Sequence, residues 1–163
     1  MLSVKKALIK DIPEIKKVLK ETWIATYGTL FSKDAINKIT SDWHSSERIA
    51  FSINDPESFT IVAKNEDGKI VGLATARRKN KSTLNLSRLY VLPNFQKKGI
   101  GKELLNKALF YFDNIKNVTL EVEEMNKNAI EFYERQEFIK KSSREDIVEG
   151  ITIKSVVMTK QLE

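Results

Sequence analysis

Leu86-Ser87-Arg88-Leu89-Tyr90-Val91-Leu92-Pro93-Asn94-Phe95-Gln96-Lys97-Lys98-Gly99-Ile100-Gly101-Lys102-Glu103-Leu104-Leu105 joins a strand end, a proline break, a glycine loop and a helix start. A strand over Thr83–Val91 stops at Leu92-Pro93, because proline cannot donate to a ladder. Beyond the loop, Ile100, Leu104, Leu105, Ala108, Leu109 and Phe112 recur as one apolar helical face. A helix start presents unpaired N–H groups and the positive end of the dipole, and together these attract an anion. Gly99 and Gly101 let the backbone curl close to phosphate oxygens, and Lys97, Lys98 and Lys102 add charge. The Walker pattern is absent, and the dinucleotide pattern fails at Leu104, where a third glycine would stand. Taken alone, two glycines before a helix also suit a plain turn.

Upstream, residues 2–9 read as a short strand carrying Val4, Ala7 and Ile9. Asp11 is placed to cap a helix with Pro13 and Glu14 in its first turn, and Ile12, Ile15, Val18, Leu19 and Ile24 recur at helical spacing up to Gly28. A second helix runs from Lys33 to about Ile39 behind Ser32, and a third from about Ser45 to Ile53. Strands follow at Phe59–Lys64 and Ile70–Arg77, joined by the turn Asn65-Glu66-Asp67-Gly68. Downstream, Val118, Leu120 and Val122 alternate as a strand, Asn126–Arg135 is helical, and Phe138–Lys140 and Ile151–Lys160 close the chain as strands. This order predicts a single α+β domain over residues 1–163 with a mixed sheet.

The 163 residues are 41% hydrophobic and 31% charged, a globular balance, with no apolar run of membrane-spanning length. There is no cysteine, which excludes disulfides, thiolate nucleophiles and cysteine-based zinc sites. No metal-ligand set stands out. Charge returns at Lys5-Lys6, too early for a secretory segment, so a cytoplasmic protein is expected. The 28 basic residues lie among 22 acidic ones, for a net charge of +6. That balance suits an anionic partner, but no dense basic tract points to nucleic acid.

The quoted stretch closely resembles the acetyl-CoA signature of the GNAT superfamily of N-acetyltransferases: an L-Y-V-x-P strand end, then Q/R-x-x-G-x-G/A opening a helix. A second block matches as well, in Leu120-Glu121-Val122-Glu123-Glu124-Met125-Asn126 with Ala129, Phe132, Tyr133 and Phe138. The resemblance implies a mostly antiparallel mixed sheet flanked by helices, with a bulged central strand ending at Val91 that splays from its neighbour. It further implies that acetyl-CoA is the cofactor. Its pantetheine arm would lie along Leu89, Tyr90 and Val91, and its pyrophosphate on Gln96, Lys97, Lys98, Gly99, Ile100, Gly101 and Lys102. Asn126 would touch the arm, with Ala129 and Phe132 packing nearby. The Val91 N–H would be the oxyanion donor and Tyr133 the general acid for the departing thiolate. One departure stands out: Glu137 replaces a glycine the family usually has, which would impose a different backbone after the helix.

A general base is harder to place. Family members often carry a glutamate where this chain has Asn85. Glu121 and Glu123 share a face of the neighbouring strand and are the candidates, with Glu123 assigned as the base and Glu121 as a contact to the acceptor amine. His44, the only histidine, lies in a polar run and is not assigned a catalytic part. Trp23 and Tyr27 share a helical face and, with Phe31, suit cation–π contact to an amine, although each also suits ordinary core packing. The segment Thr22–Phe31 resembles GNAT enzymes acting on small amines, including PaiA-type polyamine acetyltransferases. The resulting expectation is acetyl transfer to a small polyamine such as spermidine or spermine, without nucleic acid or membrane. Acetylation of a protein N-terminus or lysine and a non-catalytic acyl-CoA-binding module stay open as alternatives. The resemblance allows a homo-oligomer, since members are often dimers.

Overall fold

The computed structural model describes residues 2–163 and builds seven strands into one sheet of order β1-β2-β3-β4-β5-β7-β6. The strands are β1 (Ser3–Lys6), β2 (Ser58–Lys64), β3 (Ile70–Arg78), β4 (Thr83–Val91), β5 (Asn117–Glu123), β6 (Ile139–Val148) and β7 (Ile151–Gln161). All neighbours pair antiparallel except β4 and β5, which run parallel. Helices α1 (Ile12–Tyr27), α2 (Lys33–Trp43) and α3 (Ser46–Asn54) precede β2 in the chain. Helix α4 (Ile100–Leu109) links β4 to β5, and α5 (Lys127–Arg135) follows β5. The expected α+β mixed sheet flanked by helices is present.

The sheet separates two apolar layers. On one face Ile100, Leu104, Leu105, Ala108 and Leu109 of α4 pack with Leu84, Leu86, Val118 and Leu120 of the central strands. Burying each leucine or isoleucine contributes about 1.5–3 kcal/mol. On the other face Ile15, Val18 and Leu19 of α1 meet Ile49, Val62 and Leu73, and Trp23 and Tyr27 join Ile36, Ile39 and Ile153. The Glu14 carboxylate accepts the Ile70 N–H, which docks the start of α1 on β3.

Several boundaries differ from the sequence reading for identifiable reasons. The first strand ends at Lys6 rather than 9, because the Asp11 carboxylate captures the Leu8 N–H at 2.8 Å and folds Ile9–Asp11 into a 3-10 turn. Asp11 therefore does not cap α1 with its side chain. Ser32 and Ser45 do cap their helices, accepting the N–H of Ala35 and Arg48. Helix α2 runs a turn past Ile39 to Trp43, and Thr40 turns its hydroxyl back onto the Ile36 carbonyl. Helix α4 ends before Phe112, which packs edge-on to Tyr111. Strand β6 is far longer than Phe138–Lys140: its polar sequence carries no alternation, and pairing with β7 along its length makes it a strand.

Glu137 adopts the left-handed backbone that favours glycine, at φ +70°, so the turn after α5 is of the glycine type despite the side chain. The Phe138 N–H reaches the Tyr133 carbonyl and the Glu137 N–H the Glu134 carbonyl, the pair of bonds that closes a Schellman turn. The left-handed region costs a non-glycine residue about 1–2 kcal/mol, and Lys160 offsets part of that by donating to the Gln136 carbonyl at 2.8 Å.

Candidate active site

Strands β4 and β5 pair only from Thr83↔Asn117 to Leu86↔Leu120, although β4 continues to Val91 and β5 to Glu123. Beyond Leu86 the two strands have separated, leaving a wedge in the middle of the sheet. The β3–β4 register shifts there: Thr75 opposes Arg88 and Ala76 opposes Leu86, which leaves Ser87 as the extra residue of a bulge. The bulge resets the alternation. Leu84 and Leu86 before it, and Leu89 and Val91 after it, pack on the α4 side. Tyr90 packs on the α1 side, and Arg88 reaches the α2–α3 junction there.

Backbone direction follows from the same register. The Leu92 N–H donates to the Val71 carbonyl at 2.8 Å, so Leu92 and Val71 are a hydrogen-bonded pair. Antiparallel ladders alternate, so Val91 and Leu89 turn their N–H and C=O groups away from β3 and toward the wedge. The Val91 carbonyl accepts the Gln96 side-chain N–H at 2.8 Å, which ties the glycine loop to the strand end. Gly72 of β3 permits this close packing: a Cβ there would lie 3.1 Å from the Tyr90 carbonyl oxygen and 3.3 Å from a Val91 methyl.

The loop fits an anion. Gly99 is the N-cap of α4 at φ +85°, with nothing within 4 Å of where a Cβ would stand, and Lys97 also adopts positive φ at 61°. The first N–H groups of α4, at Ile100, Gly101 and Lys102, precede the first i−4 bond, made by Glu103 to Gly99. Lys97 and Lys98 are exposed beside them. A wedge with outward backbone groups and a cationic helix start together have the shape and charge to hold a pantetheine arm ending in a pyrophosphate.

A cavity of about 600 Å³ opens from the wedge toward α1–α3. Trp23, Tyr27, Trp43, His44, Arg88, Tyr90, Glu121, Glu123, Asn126, Ala129 and Tyr133 are in its lining. Thus the structure brings Trp23, Tyr27, Leu89, Tyr90, Glu121, Glu123, Asn126, Ala129 and Tyr133 to one cavity, while Val91, Phe132 and the loop Gln96–Lys102 are outside its lining. Phe31 is outside it too, packed on Tyr27 at 6.1 Å between ring centroids. Phe132 stands edge-on to Tyr133 and would contact a Cβ at Gly101 at 3.6 Å, which places it between α5 and the loop.

Tyr133 is 8% exposed, and burial pushes its phenol well above the ordinary value, with the Tyr90 and Tyr27 hydroxyls adding to the shift. Glu123 accepts the Met125 N–H at 2.7 Å, and burial raises its carboxyl above the usual range. Glu121 pairs with Arg144 at 3.4 Å, and Arg144 also reaches Asp146 at 3.3 Å. Asn126 caps α5 by accepting the Ala129 N–H and donates to the Tyr27 hydroxyl at 3.1 Å.

Sequence reasoning missed Arg88, Ser52 and Gly72. Arg88 is 8% exposed and donates to His44 Nδ1, the Ser52 hydroxyl and the Trp43 carbonyl, each at 3.2 Å. It pins the α2–α3 junction onto β4. The signal was a lone arginine between Leu86 and Leu89 in an apolar strand; Ser52 gave none. Burial, with the Arg88 guanidinium beside it, lowers His44 from 6.5 to about 3, so the ring is neutral. A histidine neutral when folded and ordinary when unfolded favours the fold fully above its unfolded value and progressively less below it. Urea unfolding is therefore expected to show about 1 kcal/mol lost between about pH 7 and about pH 5.5, with a flatter response in His44→Gln.

Among the described residues no group of three or more His, Cys, Asp or Glu is placed to hold a metal ion, and no helix is long and apolar enough to cross a membrane.

A match to the Acetyltransferase (GNAT) family spans residues 13–138. An uncharacterised N-acetyltransferase of Mycobacterium tuberculosis is 33% identical over 130 residues, covering 78% of this chain and 83% of the relative. The spermidine N(1)-acetyltransferase of Thermoplasma acidophilum is 26% identical over 143 residues, covering 84% and 88%. In fold, the chain is similar to the PaiA N-acetyltransferase of Thermoplasma acidophilum in complex with coenzyme A, with a TM-score of 0.84, 23% identity and 99% of each chain covered. It is also similar to the spermidine N-acetyltransferase of Vibrio cholerae in complex with CoA and spermine, with a TM-score of 0.70, 18% identity and 98% and 95% covered. With the wedge, the bulge and the loop each where the resemblance implies them, the chain belongs to the GNAT family of acetyltransferases.

Proposed function

We propose that the protein acetylates a primary amine of a small polyamine, of the spermidine and spermine kind, by direct attack. The observation that carries this reading is the cavity's lining: aromatic rings of Trp23, Tyr27 and Trp43 together with the carboxylates of Glu121, Glu123 and Asp146. Aromatic faces and carboxylates both attract alkylammonium groups. The spermidine N(1)-acetyltransferase relative supports the same acceptor class.

Acetyl-CoA supplies the acyl group and a thiolate leaving group. In our reading the backbone at Leu89–Val91 orients the arm, and Gln96–Lys102 hold the pyrophosphate. The Val91 N–H meets the negative charge that develops on the acyl oxygen, where a fixed donor in a dry site is usually a large catalytic factor. An alkyl amine is mostly protonated at neutral pH, so Glu123 takes its proton, directly or through water. A carboxyl raised by burial is a stronger base than an exposed one. As the C–N bond forms and the C–S bond breaks, Tyr133 gives its proton to sulfur, and the second proton shed by the new amide nitrogen passes through water to restore the phenol. Burial keeps the phenol protonated at neutral pH, so the proton is present to be given.

An acceptor panel with acetyl-CoA, read by thiol release, tests the assignment. Spermidine and spermine are expected to turn over, and peptides with free N-termini or lysines are not. Preferential turnover of peptides would replace the polyamine reading with protein acetylation. CoA binding without turnover of any amine would overturn both.

A further inference from the structure

The β4–β5 ladder holds the closed end of the wedge, and no strand pairing fixes its width beyond Leu86. Its left wall, Ser87–Val91, is held by β3, and its right wall, Glu121–Glu123, by β7. No β4–β5 backbone pair joins the walls beyond Leu86↔Leu120. The last turns of α1 make the connection instead. Trp23 Nε1–H donates to the Tyr90 hydroxyl at 3.3 Å, on the left wall. The Tyr27 hydroxyl accepts from Asn126 at 3.1 Å, and Asn126 caps the helix that follows the right wall. The two rings lie 4.5 Å apart and are 3% and 6% exposed, so they form one packed unit. One helix face thereby reaches across the opening to both sides.

The same two rings line the acceptor cavity. An amine seated there touches the unit that spans the walls, and a pantetheine arm seated in the wedge touches the walls themselves. From this arrangement we infer that Trp23 and Tyr27 are positioning residues that set the wedge width and couple the two ligands, so that amine and CoA each tighten the other. The inference rests on the placement of the arm and the amine given above, and does not depend on the amine being a polyamine. Coupling between sites is reciprocal, because it is a difference in free energy between states.

The test measures the dissociation constant of CoA by calorimetry with and without saturating spermidine, in the wild type, Trp23→Phe and Tyr27→Phe. Both variants keep an aromatic ring in place and remove one polar link. In the wild type spermidine is expected to tighten CoA by about fivefold or more, the lower end of typical coupling. In each variant the ratio falls toward one. Equal dissociation constants with and without amine in the wild type, or undiminished coupling in both variants, overturn the inference. If the acceptor panel selects another amine, that amine replaces spermidine, so failure of the polyamine reading leaves this test intact.

A second readout needs no acceptor. Amide hydrogen exchange of the free protein is expected to be about tenfold faster at residues 87–91 and 121–126 in the Trp23→Phe/Tyr27→Phe double variant, the size expected from losing two hydrogen bonds. The β1–β2 edge, remote from the rings, keeps its wild-type rate. Wall exchange equal to wild type, or acceleration spread evenly over the sheet, overturns the inference.

Discussion

Tyr133→Phe is expected to lower kcat by about a hundredfold or more while the dissociation constant of CoA changes by no more than about twofold. The ring fills the same space, between Phe132 and Phe138, so packing survives the loss of one oxygen. What disappears is a proton donor for the departing sulfur. Loss of an interaction made only during reaction lowers kcat and kcat/KM together, and stopped-flow thiol release beside equilibrium CoA binding separates the two effects. An unchanged kcat would remove Tyr133 from the reaction.

Glu123→Gln is expected to lower kcat/KM for the amine by about a hundredfold near neutral pH. Glutamine can still accept the Met125 N–H, so the turn after β5 keeps its bond. The pH dependence identifies the cause. Burial, the largest influence, raises the Glu123 carboxyl, so the wild-type rate falls as acid protonates it, at a higher pH than for an exposed glutamate. The variant lacks that group, and its rate follows the amine's own ionisation. Its deficit should therefore shrink steadily toward about pH 10, where the amine loses its proton in solution. A deficit that is constant across that range would show that Glu123 is not the base.

The sequence revealed the loop well because its requirements are local. A positive φ at Gly99 and an apolar face from Ile100 onward are both written in residue types. The wedge is different in kind: it is missing pairing, and no residue in β5 announces where its ladder with β4 stops. The splay and the bulge were expected through the family resemblance alone, and the bulge's position was not, since Ser87 is an ordinary strand residue until its register against Thr75 and Ala76 is known. Leu89, Tyr90 and Val91 were named because they match the L-Y-V signature, to which Arg88 does not belong. Strand β6 was illegible because its residues are exposed and charged, and tertiary pairing overrides weak local preference. Glu137 misled for the opposite reason: a strong local rule was outweighed by the Schellman bonds and Lys160. Gly72 carried a readable cue, a glycine within an apolar strand, which marks close backbone approach.

The bulge at Ser87 also divides labour along one strand. In our reading the donor is gripped by main-chain atoms of Leu89 and Val91, which every amino acid possesses. Toward the acceptor the strand shows side chains, Arg88 and Tyr90. A substitution at Arg88 rewrites the surface an amine meets and leaves the peptide groups that face the thioester unaltered, whereas one at Tyr90 also cuts the link to Trp23. At Arg88 the strand can therefore be edited for a new acceptor, by natural drift or in the laboratory, without renegotiating the donor.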